Sequence, residues 1–209
     1  MKNIFGYSPS PITLKRLAGC LCQLLQLPAS KYPHISSTQL ARLTGGKPSR
    51  LRQDFHHFGG FGQPGHPYEV PVLIEELKRI FGLERRINLL ICGAGSMAET
   101  ILSYKTLKDL DIKVTGVFDF AVKRQGKRCA GLKVMSAAQA GDFLKSNPAH
   151  IGVICGSEVE RAVDFFNANG IKFIWNLSLA DAPAPKGMMV HNANLLAGLL
   201  TLIYKINDT

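Results

Sequence analysis

No apolar run in this chain approaches the roughly twenty residues that cross a bilayer, so a membrane-spanning protein is excluded. The N-terminus lacks a charged start followed by an apolar stretch and a small-residue cleavage site, so no signal peptide is expected. The five cysteines, at positions 20, 22, 92, 129 and 155, include no Cys-x-x-Cys pair. None of the six histidines stands at ligand spacing from a cysteine or carboxylate, which argues against a metal site. Cys92 and Cys155 fall inside apolar runs, where a thiol behaves as a small hydrophobe. All five therefore read as reduced, structural thiols of a cytoplasmic protein. Catalytic patterns are missing too. There is no Gly-x-Ser-x-Gly elbow, no Ser-x-x-x-Lys pair and no acid–base dyad, so the expectation is binding without turnover. Acidic residues are scarce as well, with 15 Asp and Glu against 25 Lys and Arg, a formal charge of +10. Such an excess points to a polyanionic partner, nucleic acid before membrane.

What the chain does contain is two contrasting halves. With 209 residues it has room for two small domains, and its composition shifts near residue 83. The boundary is expected between 1–83 and 84–209. In the first half, apolar residues recur at helical spacing over 11–27 (Ile12, Leu17, Leu21, Leu24 and Leu25). Ser36-Ser37-Thr38-Gln39 is an N-cap signal for a short helix closed by Gly45-Gly46. Pro48 suits the first turn of a third helix, reaching Phe55 or Phe58. This order is that of a helix-turn-helix. The glycines between 59 and 65 break helical structure, and the stretch to Tyr68-Glu69-Val70 reads as a β-hairpin wing. An amphipathic helix carrying Leu73, Ile74, Leu77 and Ile80 then connects the halves.

In the third helix Arg50, Arg52, Gln53 and His56 or His57 stand where a major groove is read. Arginine and glutamine suit guanine and adenine edges, while Lys47 and the Ser36 and Ser37 hydroxyls suit phosphates. Ser49 and Gly62 complete the expected DNA-binding set, and Leu51, Phe55 and Phe58 form the buried face.

From Arg86 onward short apolar strands alternate with helices, the mark of a parallel α/β sheet. Strands are expected at 87–92, 112–119, 150–155, 171–175 and 188–191, and helices at 96–109, 136–145 and 157–169. The first strand runs into Gly93-Ala94-Gly95-Ser96-Met97-Ala98, a glycine fingerprint between strand and helix. Gly93 permits a tight turn, Gly95 lets the backbone approach a pyrophosphate, and Ala98 stands at the third glycine position. Asp119 ends the second strand, where a carboxylate accepts hydrogen bonds from the adenosine ribose. Lys123, Arg124, Lys127 and Arg128 follow. Arginine there suits the 2′-phosphate of NADP, but Asp119 opposes it, and the carboxylate decides for NAD(H). The basic run then reads as solvated surface or as an aid to phosphate and DNA attraction. The final segment, 194–204, is apolar on most sides. It packs against another subunit or covers its own sheet.

These features resemble the Rex family of redox-sensing transcriptional repressors over nearly everything from residue 11 to 204. The most specific stretch runs from Ile35 through Pro48, Arg52 and Asp54 to Phe58-Gly59-Gly60-Phe61-Gly62, with the turn from Gly65 to Tyr68. The Gly93–Gly95 loop, Tyr104, Phe118-Asp119, Gly170-Ile171-Lys172, Asn176 and Asn192 continue it. The resemblance implies a winged helix-turn-helix domain followed by a Rossmann-type doubly wound sheet. It implies a homodimer that exchanges its C-terminal helix, binds a palindromic operator and lets go when NADH exceeds NAD. It also implies a switch formed by Arg16, Tyr104 and the position of Asn194.

The chain departs from the family pattern around the nicotinamide. Ser96-Met97-Ala98 replaces Asn-Leu-Gly, and Asp119-Phe120-Ala121-Val122 keeps only the first acid of Asp-x-Asp-Pro. Gly156-Ser157 replaces Val-Pro, and Asn176-Leu177-Ser178-Leu179 replaces Asn-Phe-Ala-Pro. Asn192-Ala193-Asn194-Leu195 replaces Asn-Val-Asp-Phe, so Asn194 forms no charged pair with Arg16. Two other readings stay open: a Rex-like regulator that answers to another ligand or to none, and an NAD(P)-dependent oxidoreductase with a nucleic-acid-like N-terminal extension.

Overall fold

The computed structural model describes residues 8–28, 30–59, 61–62 and 65–207, which divide at Arg85/Arg86 into two compact units. In the first unit α1 (Pro11–Gln26) is capped by Ser10, whose hydroxyl accepts from the Thr13 N–H at 3.1 Å. A two-residue strand β1 (His34–Ile35) precedes α2 (Ser37–Thr44). Ser36 and Gln39 form a reciprocal capping box that fixes where α2 begins. Helix α3 (Pro48–His57) starts on Pro48, whose missing N–H costs nothing in a first turn. Strand β2 (Tyr68–Glu69) leads directly into α4 (Val70–Ile80). Leu17, Leu24, Leu40, Leu51, Phe55, Leu73 and Leu77 are buried to form the core of this unit.

The wing differs from expectation. β2 pairs antiparallel with β1, His34 opposite Glu69 and Ile35 opposite Tyr68, and not with a second strand of its own loop. Among the described residues between 59 and 69 there is no other strand, while Gly60, Gln63 and Pro64 lie outside the described residues. The loop is anchored by aromatic packing, with Phe55 edge-on to Phe61 at 5.1 Å and to Tyr68 at 5.4 Å.

The second unit begins with β3 (Ile87–Cys92), α5 (Ser96–Ser103), α6 (Lys105–Asp109) and β4 (Ile112–Phe118). A 3-10 turn, Val122–Arg124, leads to the hairpin β5 (Arg128–Cys129) and β6 (Leu132–Met135). Then come α7 (Ala140–Ser146), β7 (Ile151–Ile154), α8 (Val159–Ala168), β8 (Phe173–Asn176), β9 (Met189–Asn192) and α9 (Leu195–Asn207). The sheet order is β5-β6-β4-β3-β7-β8-β9, parallel throughout except for the β5 edge. Without β5 this is the 3-2-1-4-5-6 order of a dinucleotide-type fold.

Alternate residues of β3 serve opposite faces. Leu89 and Ile91 pack with Ala98, Ile101, Val117 and Val153 on one side, and Leu90 and Cys92 with Phe118, Val163 and Phe166 on the other. Gly152 is required on the second face, since a Cβ there would lie 2.7 Å from the Phe166 ring. The hairpin β5–β6 was not among the expected elements. The helix expected over 96–109 is two, because Tyr104 adopts an extended conformation between α5 and α6.

Candidate nucleotide crevice and DNA-reading groove

A crevice of about 540 Å³ opens where the carboxyl ends of β3, β4 and β7 diverge. Strand order reverses between β3 and β7, and open α/β sheets bind ligands at that point. Its floor is backbone. Gly93 has φ +103, and a Cβ there would collide with the Gly156 nitrogen and lie 2.7 Å from the Gly156 Cα. Only glycine lets the two loops meet. Gly95 then enters α5, whose first turn has no side-chain cap and so leaves N–H groups for an anion.

Asp119 is 8% exposed and latches the glycine loop. Its Oδ2 accepts from the Ala94 N–H at 2.7 Å and its Oδ1 from the Ala121 N–H at 2.8 Å. Arg124 stands 3.9 Å from the same carboxylate. Lys123 and Arg124, both exposed, line the crevice. Opposite them Glu158 pairs with Arg161 at 3.2 Å, and the Arg161 guanidinium lies over the Phe120 ring at 4.2 Å.

Of the expected fingerprint residues, Gly93, Gly95, Asp119, Gly156 and Ser157 line the crevice. Ala94 reaches it only through its N–H, and Ser96 and Met97 occupy the first turn of α5 outside the lining. Ala98 is fully buried in the core, where a small side chain lets α5 approach the sheet. At the far ends of β8 and β9, Asn176 is buried and donates to the Ala180 carbonyl and to Asn192 Oδ1, both at 2.8 Å. Its own oxygen accepts from the Ser178 N–H and hydroxyl, which ties down the loop after β8.

Burial pushes the Cys92 and Cys155 thiols up to about 12, Cys92 further by the nearby Asp119 charge and Cys155 by Cys129. Cys20 in the first unit is also pushed up to about 12, by burial and then by Asp54. Such thiols remain protonated and unreactive near neutral pH. Among the described residues no group of three or more His, Cys, Asp or Glu could hold a metal.

In the first unit a groove of about 960 Å³ runs between the start of α2, one face of α3 and the wing loop. Ser36, Ser37, Ser49, Arg52, Gln53, His56 and Gly62 line it. Ser49, Arg52, Gln53 and His56 are exposed at i, i+3, i+4 and i+7, one helical face. Lys47 and Arg50 are exposed but outside the groove, Arg50 being about a quarter-turn round α3. Ser36 is occupied as the N-cap of α2, and the Ser37 hydroxyl accepts from Arg52 Nη1 at 2.9 Å.

The buried side of α3 holds a residue that helical patterning did not single out. Asp54 is 3% exposed and receives both Nε and Nη2 of Arg16, at 2.7 and 3.0 Å. This fork bolts α1 to the back of α3. Arg16 is thus engaged inside the first unit. Of its expected switch partners, Tyr104 is half exposed and lines a separate hollow of about 610 Å³ in the second unit. Asn194 caps α9, accepting from the Ala197 N–H at 3.1 Å.

The family model for the CoA binding domain matches residues 84–180. The redox-sensing transcriptional repressor Rex of Caldicellulosiruptor saccharolyticus is 35% identical over 176 residues, covering 83% of this chain and 80% of its own. Its counterpart in Clostridium botulinum is 34% identical over 201 residues, covering 95% of this chain and 96% of its own. The chain belongs to the Rex family of redox-sensing transcriptional repressors. Among solved structures, that of RSP in complex with β-NAD+ and operator DNA matches with a TM-score of 0.82 at 30% identity, over 97% of this chain and 94% of RSP. RSP in complex with β-NADH matches with a TM-score of 0.81 at 27% identity, over 97% and 96%. Membership fits a Rossmann sheet joined to a winged-helix unit. It also accounts for the lack of a catalytic pattern in a fold that otherwise serves dehydrogenases.

Proposed function

We propose that this Rex-family chain represses transcription by binding a palindromic operator as a homodimer, and that NAD(H) in the Rossmann crevice sets its operator affinity. The observation that carries the reading is a built crevice at the sheet's switch point in the same chain as an exposed polar face of α3. In this reading Arg52, Gln53, Ser49 and His56 face base edges. Lys47, Arg50, Ser36, Ser37 and Gly62 serve the phosphate backbone, the two serines through the start of α2.

The glycine loop from Gly93 to Gly95 and the start of α5 receive the pyrophosphate, with Ala98 packed beneath them in the core. Asp119 keeps acceptor capacity for the ribose beyond its two backbone bonds. Gly156 and Ser157 border the nicotinamide side. NAD(H) supplies the redox signal, and the chain's own part is to hold it and report its state.

Helix α9 supplies the dimer contact. Leu195, Leu199, Tyr204 and Ile206 are 63, 53, 68 and 73% exposed, a surface that water does not tolerate on a single helix. The Arg16–Asp54 fork is the route by which a change at α1 reaches α3. A nucleotide shifts operator affinity only by its preference for one dimer arrangement over the other. Gel shifts of the full chain on a palindromic duplex over a series of NADH/NAD ratios test this. Release as the ratio rises supports the proposal, and binding that ignores the ratio refutes it.

A further inference from the structure

We propose that the adenosine end of the crevice accepts a phosphate on the ribose 2′ oxygen, so that NADP(H) binds alongside NAD(H). The inference rests on reading the crevice as a dinucleotide site. A carboxylate after the second strand excludes that phosphate when its oxygens project freely at the ribose. At Asp119 that charge is already partly compensated. Each of its oxygens already accepts a backbone N–H, from Ala94 and from Ala121, and the side chain is nearly buried.

The same carboxylate positions cations beside itself. Through the Ala121 N–H it fastens the start of the Val122–Arg124 turn, and the Gln125 side-chain amide donates to the Asp119 carbonyl at 3.0 Å. The turn places Lys123 and Arg124 on the crevice wall. The Arg124 Nε stands 3.9 Å from Asp119, and its Nη1 lies 3.2 Å from where a Gly95 Cβ would be, above the loop that enters α5.

Charge then decides the preference. Arg161 is already paired with its neighbour Glu158 at the start of α8, and Asp119 shares the crevice with Lys123 and Arg124. One positive charge is in excess where the adenosine ribose would sit, and Ala121 adds no second acid. A phosphomonoester suits a planar guanidinium fork, and Arg124 is 44% exposed and so open to a ligand.

Calorimetry with NADPH and NADH on the full-length protein and on Arg124→Ala tests the proposal. The expected result is NADPH affinity within about tenfold of NADH in the wild type. Arg124→Ala should lower NADPH affinity by about tenfold or more and NADH affinity by less than about threefold. NADPH binding more than about tenfold weaker than NADH in the wild type, or an equal loss of both in the variant, overturns it. If the folded wild type binds neither nucleotide, the dinucleotide reading itself fails and takes this proposal with it.

Discussion

In the N-terminal unit the groove is faced by exposed side chains of α3, whereas in the Rossmann unit the crevice has a floor of backbone. Arg52, Gln53 and His56 contribute little to the core beneath them. Gly93 and Asp119, by contrast, line the crevice and are also structural parts. Surface substitutions on α3 should therefore change DNA reading while the fold stays intact. Substitutions in the glycine loop should damage fold and binding together. The buried ion pair behind α3 is the exception in the first unit, a structural device that serves recognition from the back.

The contrast breaks most visibly at Gly93. Gly93→Ala forces a Cβ against Gly156 at a positive φ, and strain plus overpacking should cost about 4 kcal/mol. The Rossmann unit should lose nucleotide binding and melt earlier in calorimetry, while an isolated change at Gly95 should be milder. Next comes Asp54→Ala. Removing one member of a buried pair costs about 3–5 kcal/mol, reduced here to about 2–3 because the Arg16 side chain is 21% exposed. Its mark should be a lower denaturation midpoint together with weaker operator binding, since α3 loses its bolt.

Arg52→Ala tests the exposed face. It should leave stability within about 0.5 kcal/mol of wild type and weaken operator binding by about 1–3 kcal/mol if Arg52 reads a base. Competition with random DNA separates the roles: equal loss on both assigns Arg52 to phosphate, and no loss on either removes it from the interface. The smallest effect concerns the thiols. Cys22 is exposed and should be alkylated readily at pH 8, while Cys20, Cys92 and Cys155 should label only on unfolding, as mass spectrometry would record. Burial holds these three thiols above the ordinary thiol value of 9.0, so the folded state holds extra protons between 9 and about 12. Stability should be unaffected below pH 9 and should fall as pH rises through that window.

Much of this arrangement was legible in the residues, for physical reasons. The five main parallel strands are apolar runs bounded by polar or glycine residues, and each formed within about two residues of its expected place. The caps at Ser36 and Pro48 are local signals that need no tertiary context. Non-local features were harder. The β5–β6 hairpin turns on Ala130 and Gly131, both at positive φ, without the Asn-Gly or Asp-Gly signature that marks such turns. The wing strand found its partner more than thirty residues upstream, at His34–Ile35, which no local pattern announces. Tyr104 splits a helix without glycine or proline to signal the break. Asp54 belongs to the stretch that carries the family resemblance, but its buried pairing with Arg16, 38 residues away, has no local signal. For Arg124 the sequence left surface and phosphate attraction both open, and the Asp119 contact sets it on the crevice wall.

The two units should carry separate tasks joined by nucleotide occupancy. Asp119→Ala removes the latch on the glycine loop and leaves α3 untouched, so operator affinity of this variant with and without NADH tests the claim most directly. Without nucleotide the variant should bind operator as the wild type does, and NADH should release the wild type but not the variant. A variant that NADH still releases as readily as wild type would contradict it.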